Sequence, residues 1–263
     1  MSTLILSPRY LRGLACHAGR SYSRRVEGRP ADELARSRRH GRDSHLRRDD
    51  VRRGDRSTAR HHLARHPPDD WLPNLPNSVL QRQIQISTLG EARRHADPVF
   101  VKPADGRKGF AGAVYRNGIG LPPPQACPDD TLVFMAEPVE WRSEFRCFVK
   151  DGAVLTMSPY LRNGESARAE NGSWPAAPSE MTAVLAFIEK LTAEVPVPPS
   201  IVIDVGLIEG RDWAIVEANC AFGAGVYGCD PHKVLEVLER GCVPTVELTA
   251  SDALWARPTA QLE

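Results

Sequence analysis

The chain has 263 residues, 41% of them hydrophobic and 25% charged, and a formal net charge of +1. That composition suits one globular unit of moderate size or two small ones and argues against disorder throughout. No apolar run approaches the roughly 20 residues needed to cross a bilayer, and the opening MSTLILSPRY is short for a secretory signal and lacks its basic start, so the expected location is the cytoplasm.

The near-zero net charge hides an asymmetry. Residues 11–66 hold 16 Arg against 7 acidic residues, so this stretch carries +9 and the rest of the chain −8. It contains no Phe, Ile, Met, Trp or Lys, holds six of the eight histidines, and shows neither a helical nor a strand apolar period. Such a segment buries too little to offset the entropy of ordering it. Three readings stand: a solvated linker, a GC-rich gene translated out of frame, or an Arg-rich arm that grips nucleic-acid phosphates. Residues 1–70 are therefore set apart as a degraded N-terminal segment. The cysteines, Cys16, Cys127, Cys147, Cys220, Cys229 and Cys242, show no C-x-x-C spacing and read as reduced thiols.

From Trp71 onward the pattern is that of an α+β protein. STLGEARRHAD reads as a short helix with Thr88 and Glu91 at capping-box spacing. PVFVKP is a brief strand ending in Lys102, ADGRKGFAGAVY a glycine-bearing turn into another strand, and TLVFMAEPVE a strand closing on acidic residues. SEFRCFVKDGAVLTMSPYLRNG is a hairpin turning at Asp151-Gly152, and its alternation puts Glu144, Arg146 and Phe148 on one face, Phe145, Cys147 and Val149 on the other. PSEMTAVLAFIEKLTAEV has Met181, Val184, Leu185, Ile188 and Leu191 at helical spacing, the core stripe of an amphipathic helix. CDPHKVLEVLERG is a last helix, capped by Asp230, with Pro231 at its first position and Gly241 at its end. His95 and His232 fall at helix ends and read as solvated or capping groups.

The most informative stretch is IVIDVGLIEGRDWAIVEANC, residues 201 to 220. Its two apolar arms read as a hairpin, and whether the connection takes two residues or four, the register sets Asp204 directly across from Glu217, with Asn219 on the same face. Opposed side chains stand roughly 4.5–5.5 Å apart at Cβ, where like charges destabilise the pair. The escapes are a raised carboxyl pKa, a divalent cation held by two carboxylates and an amide oxygen, or a solvent-facing position that needs no ion.

These residues resemble a known family. An Asp on one strand and E-x-N on the next, thirteen residues apart, looks like the magnesium-binding hairpin of the ATP-grasp superfamily. Glu137 of MAEPVE and Glu144 of SEFR resemble the family's hinge carboxylates, and Lys102 resembles its strand lysine. VEANC, FGAGVYGCDP and SEFRCFV match small bacterial ATP-grasp proteins, and the likeness covers about residues 96 to 245. It implies an α+β ATP-grasp fold, two subdomains clasping a nucleotide at 71–136 and 137–250, followed by a tail at 251–263. The family's usual N-terminal α/β subdomain has no counterpart that 11–66 could easily form, a departure that bears on activity.

The resemblance implies ATP and Mg2+ as cofactors and an ATP-dependent ligase that joins a carboxylate to an amine through an acyl phosphate. Asp204, Glu217 and Asn219 would hold magnesium. Lys102, and Lys108 in the Gly106–Gly112 loop, would meet the phosphates; Glu137, with Val139 and Glu140 beside it, would meet adenine, and Glu144 the ribose. Arg146 and Arg162 would stabilise the transferring phosphoryl group, because phosphoryl transfer asks the protein mainly for positioning and charge neutralisation. Its partners would be ATP and unidentified carboxylate and amine substrates, small molecules or peptides. The rival functions are a catalytically idle nucleotide-binding or interaction module, and nucleic-acid binding through 11–66.

Overall fold

In the computed structural model the described residues are 61–63, 67–104, 109–244 and 247–255. The Arg-rich stretch 11–66 lies outside them except for 61–63, as do Cys16 and Lys108, so the readings made there stand as expectations. The chain forms two antiparallel sheets that face each other, plus a small pair. β1 (His61–Leu63) pairs with β11 (Cys242–Pro244). The first sheet has the order β2-β5-β3-β4, from Ile84–Thr88, Leu132–Ala136, Val99–Pro103 and Ala113–Tyr115. The second has the order β10-β9-β6-β7-β8, from Trp213–Asn219, Ser200–Ile208, Trp141–Lys150, Ala153–Arg162 and Glu165–Ser166.

Local chemistry places these elements. Thr88 ends β2 and caps helix α2 (Leu89–Arg94): its hydroxyl accepts from Glu91 N–H while the Glu91 carboxylate accepts from Thr88 N–H, the expected capping box. Between β6 and β7, Asp151 and Gly152 both take positive φ, 47° and 83°, the backbone of a two-residue turn that matches the twist of its strands. Asp230 accepts from His232 N–H at the start of helix α4 (Pro231–Arg240), and Gly241 follows its last turn. Gly241 has an ordinary φ of −79°; glycine is needed there because a Cβ would stand 2.7 Å from Ser200 Oγ.

The second sheet buries both faces. On one, Phe145, Cys147, Val149, Ile201, Ile203, Val205 and Ile215 meet helix α3 (Pro178–Glu194). On the other, Phe148 and Val202 meet α4. The alternation expected for β6 is therefore the one observed. The stripe of α3 departs by one residue: Val184, Phe187, Ile188 and Leu191 are buried, while Leu185 is 38% exposed. The buried set follows the i, i+3, i+4, i+7 rule, and Leu185 lies off its centre line. The turn α1 (Asn77–Leu80) and its approach contribute Leu72, Leu75, Val79 and Leu80 to this same core, so the segment grouped by sequence with the first sheet packs on the second. Under the first sheet, Leu89, Ala92, Val99, Val101, Val133 and Met135 form a smaller core with α2.

Leu191→Ala should therefore cost about 2–5 kcal/mol of unfolding free energy by leaving a cavity beneath the sheet, whereas Leu185→Ala should cost under about 1 kcal/mol. Urea denaturation of the two variants checks the assignment of the stripe.

Candidate active site

The inner faces of the two sheets enclose a cavity of about 450 Å³. In β3, Val99 and Val101 point into the small core, so Phe100 and Lys102 point into the cavity; Phe134 and Ala136 of β5 join them. Opposite stand Val216, Glu217 and Asn219 of β10, with Glu137, Val139 and Trp141 at one end. An apolar slot with polar groups on one wall is the usual form of a small-molecule site.

Asp204 and Glu217 are direct partners across β9 and β10, as the sequence required. The cations that answer them are side chains. Asp204 is 0% exposed and receives a two-pronged fork from Arg146 on the neighbouring strand β6, Nε to Oδ1 at 2.9 Å and Nη2 to Oδ2 at 2.6 Å. Lys102 crosses from the first sheet to Glu217, Nζ to Oε2 at 2.6 Å, and Asn219 donates its amide to Glu217 Oε1 at 2.7 Å. Burial pushes Asp204 up to about 6 against the pull of Arg146. Burial alone would raise Glu217 too, but Lys102 and Asn219 outweigh it and hold that carboxyl below its ordinary value.

Arg146 is boxed in. Its guanidinium lies over the rings of Tyr160 and Tyr227, 5.3 and 5.1 Å from their centroids, and those two rings stack at 5.3 Å. Trp174 meets Tyr227 edge-on. Tyr160 donates to Glu144 at 2.5 Å; burial raises the Glu144 carboxyl, and burial with the nearby Asp204 and Glu144 raises the Tyr160 phenol. Glu144 thus shares the face of Arg146, and Glu144, Arg146 and Asp204 all stand behind the residues that line the cavity. The carboxylate of Glu137, at the cavity's end, is held by Arg211 and by Gln83 N–H and lies below its ordinary pKa, Arg211 being the main cause. Glu140 is exposed, and its carbonyl accepts from Glu209 N–H.

Arg162 needs a correction. It pairs with Glu180 at the start of α3 and lies over Phe145, so it belongs to the α3 face and points away from the cavity. The reason is parity: Arg162 is opposite Ser143, which shares the face of Phe145, whereas Glu144 and Arg146 share the other.

Several groups escape a reading of the sequence. Arg82, Trp141, Tyr160, Trp174 and Tyr227 carry no local spacing signal, because each reaches the site through tertiary packing. Among the described residues no group of three or more His, Cys, Asp or Glu is placed to hold a metal, and no helix is long and apolar enough to cross a membrane.

Two facing antiparallel sheets thus hold the cleft, with a lysine bridging them and an Asp opposite E-x-N on the second sheet. Residues 79–237 match a family model described as an ATP-grasp domain, the second family of its clade, and the chain belongs to that family. Among solved structures it is similar to D-alanine–D-alanine ligase from Bacillus anthracis complexed with ATP, at 13% identity and TM-score 0.39, over 63% of this chain and 62% of that one. It is also similar to a RimK domain ATP-grasp protein from Sphaerobacter thermophilus, at 14% identity and TM-score 0.39, over 65% and 64%. A third likeness is to D-cycloserine synthetase, at 15% identity and TM-score 0.35, over 55% and 58%. The chain thus spans less than two thirds of the length of these relatives. No curated protein matches its sequence.

Removing one member of the Arg146–Asp204 pair leaves the other charged and buried. Arg146→Met should destabilise the fold by about 3–5 kcal/mol, and Arg146→Met with Asp204→Leu should recover much of the loss. Chemical denaturation of the single and double variants is the check.

Proposed function

We propose that the cleft binds ATP and that the protein uses it to activate a carboxylate for attack by an amine. The observation that carries this reading is the Lys102–Glu217 bridge across a cavity of about 450 Å³ whose lining is otherwise mostly apolar and aromatic, with Asp69, Arg82, Glu137 and Asn219 as its other polar members. Phe100, Phe134, Val139 and Trp141 offer aromatic and apolar surface for a base, with Lys102, Glu137 and Arg82 beside them and Glu217 and Asn219 opposite.

The residues fit a divalent ion in part. Glu217 and Asn219 line the cavity and bring hard oxygen donors of the kind magnesium takes. Asp204 stands on the same face, but Arg146 engages both of its oxygens, so it would join the set only by sharing that fork. Magnesium held there would screen phosphate charge and align the nucleotide. Lys102, already poised at 2.6 Å from a carboxylate, would turn its ammonium to the phosphates. Arg146, held by Asp204 and lying against the stacked rings of Tyr160 and Tyr227, would present positive charge where the γ-phosphoryl group transfers. Lys108, outside the described residues, would also meet the phosphates. The substrate carboxylate would take the phosphoryl group, releasing ADP, and an amine would then attack the acyl carbon and expel phosphate.

The experiment has two stages. Calorimetric titration with Mg-ATP should show binding, weakened about tenfold or more by Lys102→Ala and by Glu217→Gln. At a hundredfold excess over Kd the nucleotide should stabilise the fold by about 2.7 kcal/mol. No binding at millimolar Mg-ATP would overturn the reading. Phosphate release with a panel of carboxylates and amines then separates a ligase from an idle nucleotide-binding module, which would bind without turnover.

A further inference from the structure

Strict alternation along β10 would spoil the site. Trp213 and Ile215 pack in the core under α3, so a regular strand would turn Glu217 into that core as well. It does not, because the register against β9 shifts between Ile215 and Glu217. Two residues, Val216 and Glu217, oppose the single residue Asp204, and beyond that bulge Ala218 takes the core side while Glu217 and Asn219 face the cleft. The whole charged wall therefore depends on one extra residue.

A bulge in an edge strand needs something to hold it, since the strand has no second neighbour there. In β10 that neighbour is a side chain. Arg82, between α1 and β2, is 9% exposed and donates through Nη1 to Ile215 C=O at 2.6 Å and through Nη2 to Val216 C=O at 3.1 Å. Successive carbonyls of a regular strand point in opposite directions, so one planar guanidinium reaches both only where the bulge has turned them to one side. The guanidinium is itself fixed: Nη1 also donates to Leu80 C=O at 3.1 Å, and its carbon lies 5.1 Å from the centre of the Trp141 ring. Trp141 in turn rests against Gly206, where any Cβ would collide with the ring.

We propose that Arg82 is a positioning residue: by gripping the carbonyls of Ile215 and Val216 it locks the β10 bulge that turns Glu217 and Asn219 into the cleft, and so sets the divalent-ion part of nucleotide binding. The assignment to nucleotide binding rests on the function proposed above; the assignment to the bulge rests on the register alone. Lysine cannot replace the fork, because an ammonium is a point donor without two parallel N–H groups. Burial pulls Arg82 down to about 10, with Glu137 and Glu144 opposing, so it keeps its charge at neutral pH.

The test uses the full chain with Arg82→Lys and Arg82→Gln. Arg93→Gln is the control, since Arg93, on α2 beside the small core, also donates to two backbone carbonyls, those of Pro122 and Cys127. Amide hydrogen exchange reads the bulge without any ligand: the Arg82 variants should exchange faster across 213–219, with 132–136 unchanged, and Arg93→Gln should leave 213–219 as in the wild type. Titration reads the site: the Arg82 variants should bind Mg-ATP about tenfold or more weakly, yet bind ATP in EDTA within about twofold of the wild type. Equal losses with and without magnesium would mean general destabilisation or a direct nucleotide contact, and would overturn the proposal. Unchanged exchange at 213–219 would overturn it as well. If the wild type bound no Mg-ATP, the reading of the cleft would fall while the exchange measurement still decided the clamp.

Discussion

Two carboxylates placed face to face on adjacent strands cannot both stay charged in a protein interior unless positive charge comes to them. Asp204 and Glu217 impose this condition, and the surroundings of the cleft follow from it. Arg146 must lie on the strand next to Asp204, and Lys102 must reach over from the other sheet. The first pair is buried and rigid; the second spans the gap between the sheets and is partly open, with 31% of the Glu217 side chain exposed. That difference in burial separates a fixed cation from one that can be shared with a ligand.

The aromatic groups serve the same balance of charge. Tyr160 and Tyr227, stacked on each other, both lie against the Arg146 guanidinium and add a cation–π attraction to the fork that Asp204 holds. Tyr160 then gives its hydroxyl proton to Glu144, a third carboxyl on the same face, as a hydrogen bond. A row of acids, Glu144, Asp204 and Glu217, is thus interleaved with Arg82, Arg146 and Lys102, each cation reaching the row from a different element. Folding the second sheet without the first would leave Glu217 without Lys102, so the charge pattern couples the two halves of the fold.

The periodic elements are legible in the sequence because each is set by local chemistry: the Thr88–Glu91 cap, the Asp151-Gly152 turn and the alternation of Phe145, Arg146 and Cys147 need no distant partner. The opposition of Asp204 and Glu217 is legible too, although by a route that hides a compensation. The pairing begins at Trp213 opposite Leu207, one residue away from a uniform register through Asp204 and Glu217, and the bulge at Val216 restores it. A uniform register would put Trp213 and Ile215 on the cleft side, where two apolar residues would displace the charged wall. No short-range signal marks Val216 as the extra residue; the bulge is held by Arg82, more than 130 positions away in the sequence. Arg162 is misread from sequence for a related reason. Its neighbourhood in YLRNG looks like that of a catalytic arginine, yet pairing fixes its side chain on the α3 face, and the family resemblance carries no information about parity.

We propose that the cations gathered around Asp204 and Glu217 mark the place where a divalent ion and a nucleotide's phosphates bind. A crystal structure of the protein grown with magnesium and a non-hydrolysable ATP analogue tests it most directly. The account predicts density for the ion against Glu217 and Asn219, with the Lys102 ammonium on a phosphate oxygen and the Asp204–Arg146 fork still in the wall. A nucleotide bound elsewhere, or one seated in the cleft with neither Glu217 nor Asn219 touching the ion, would contradict it.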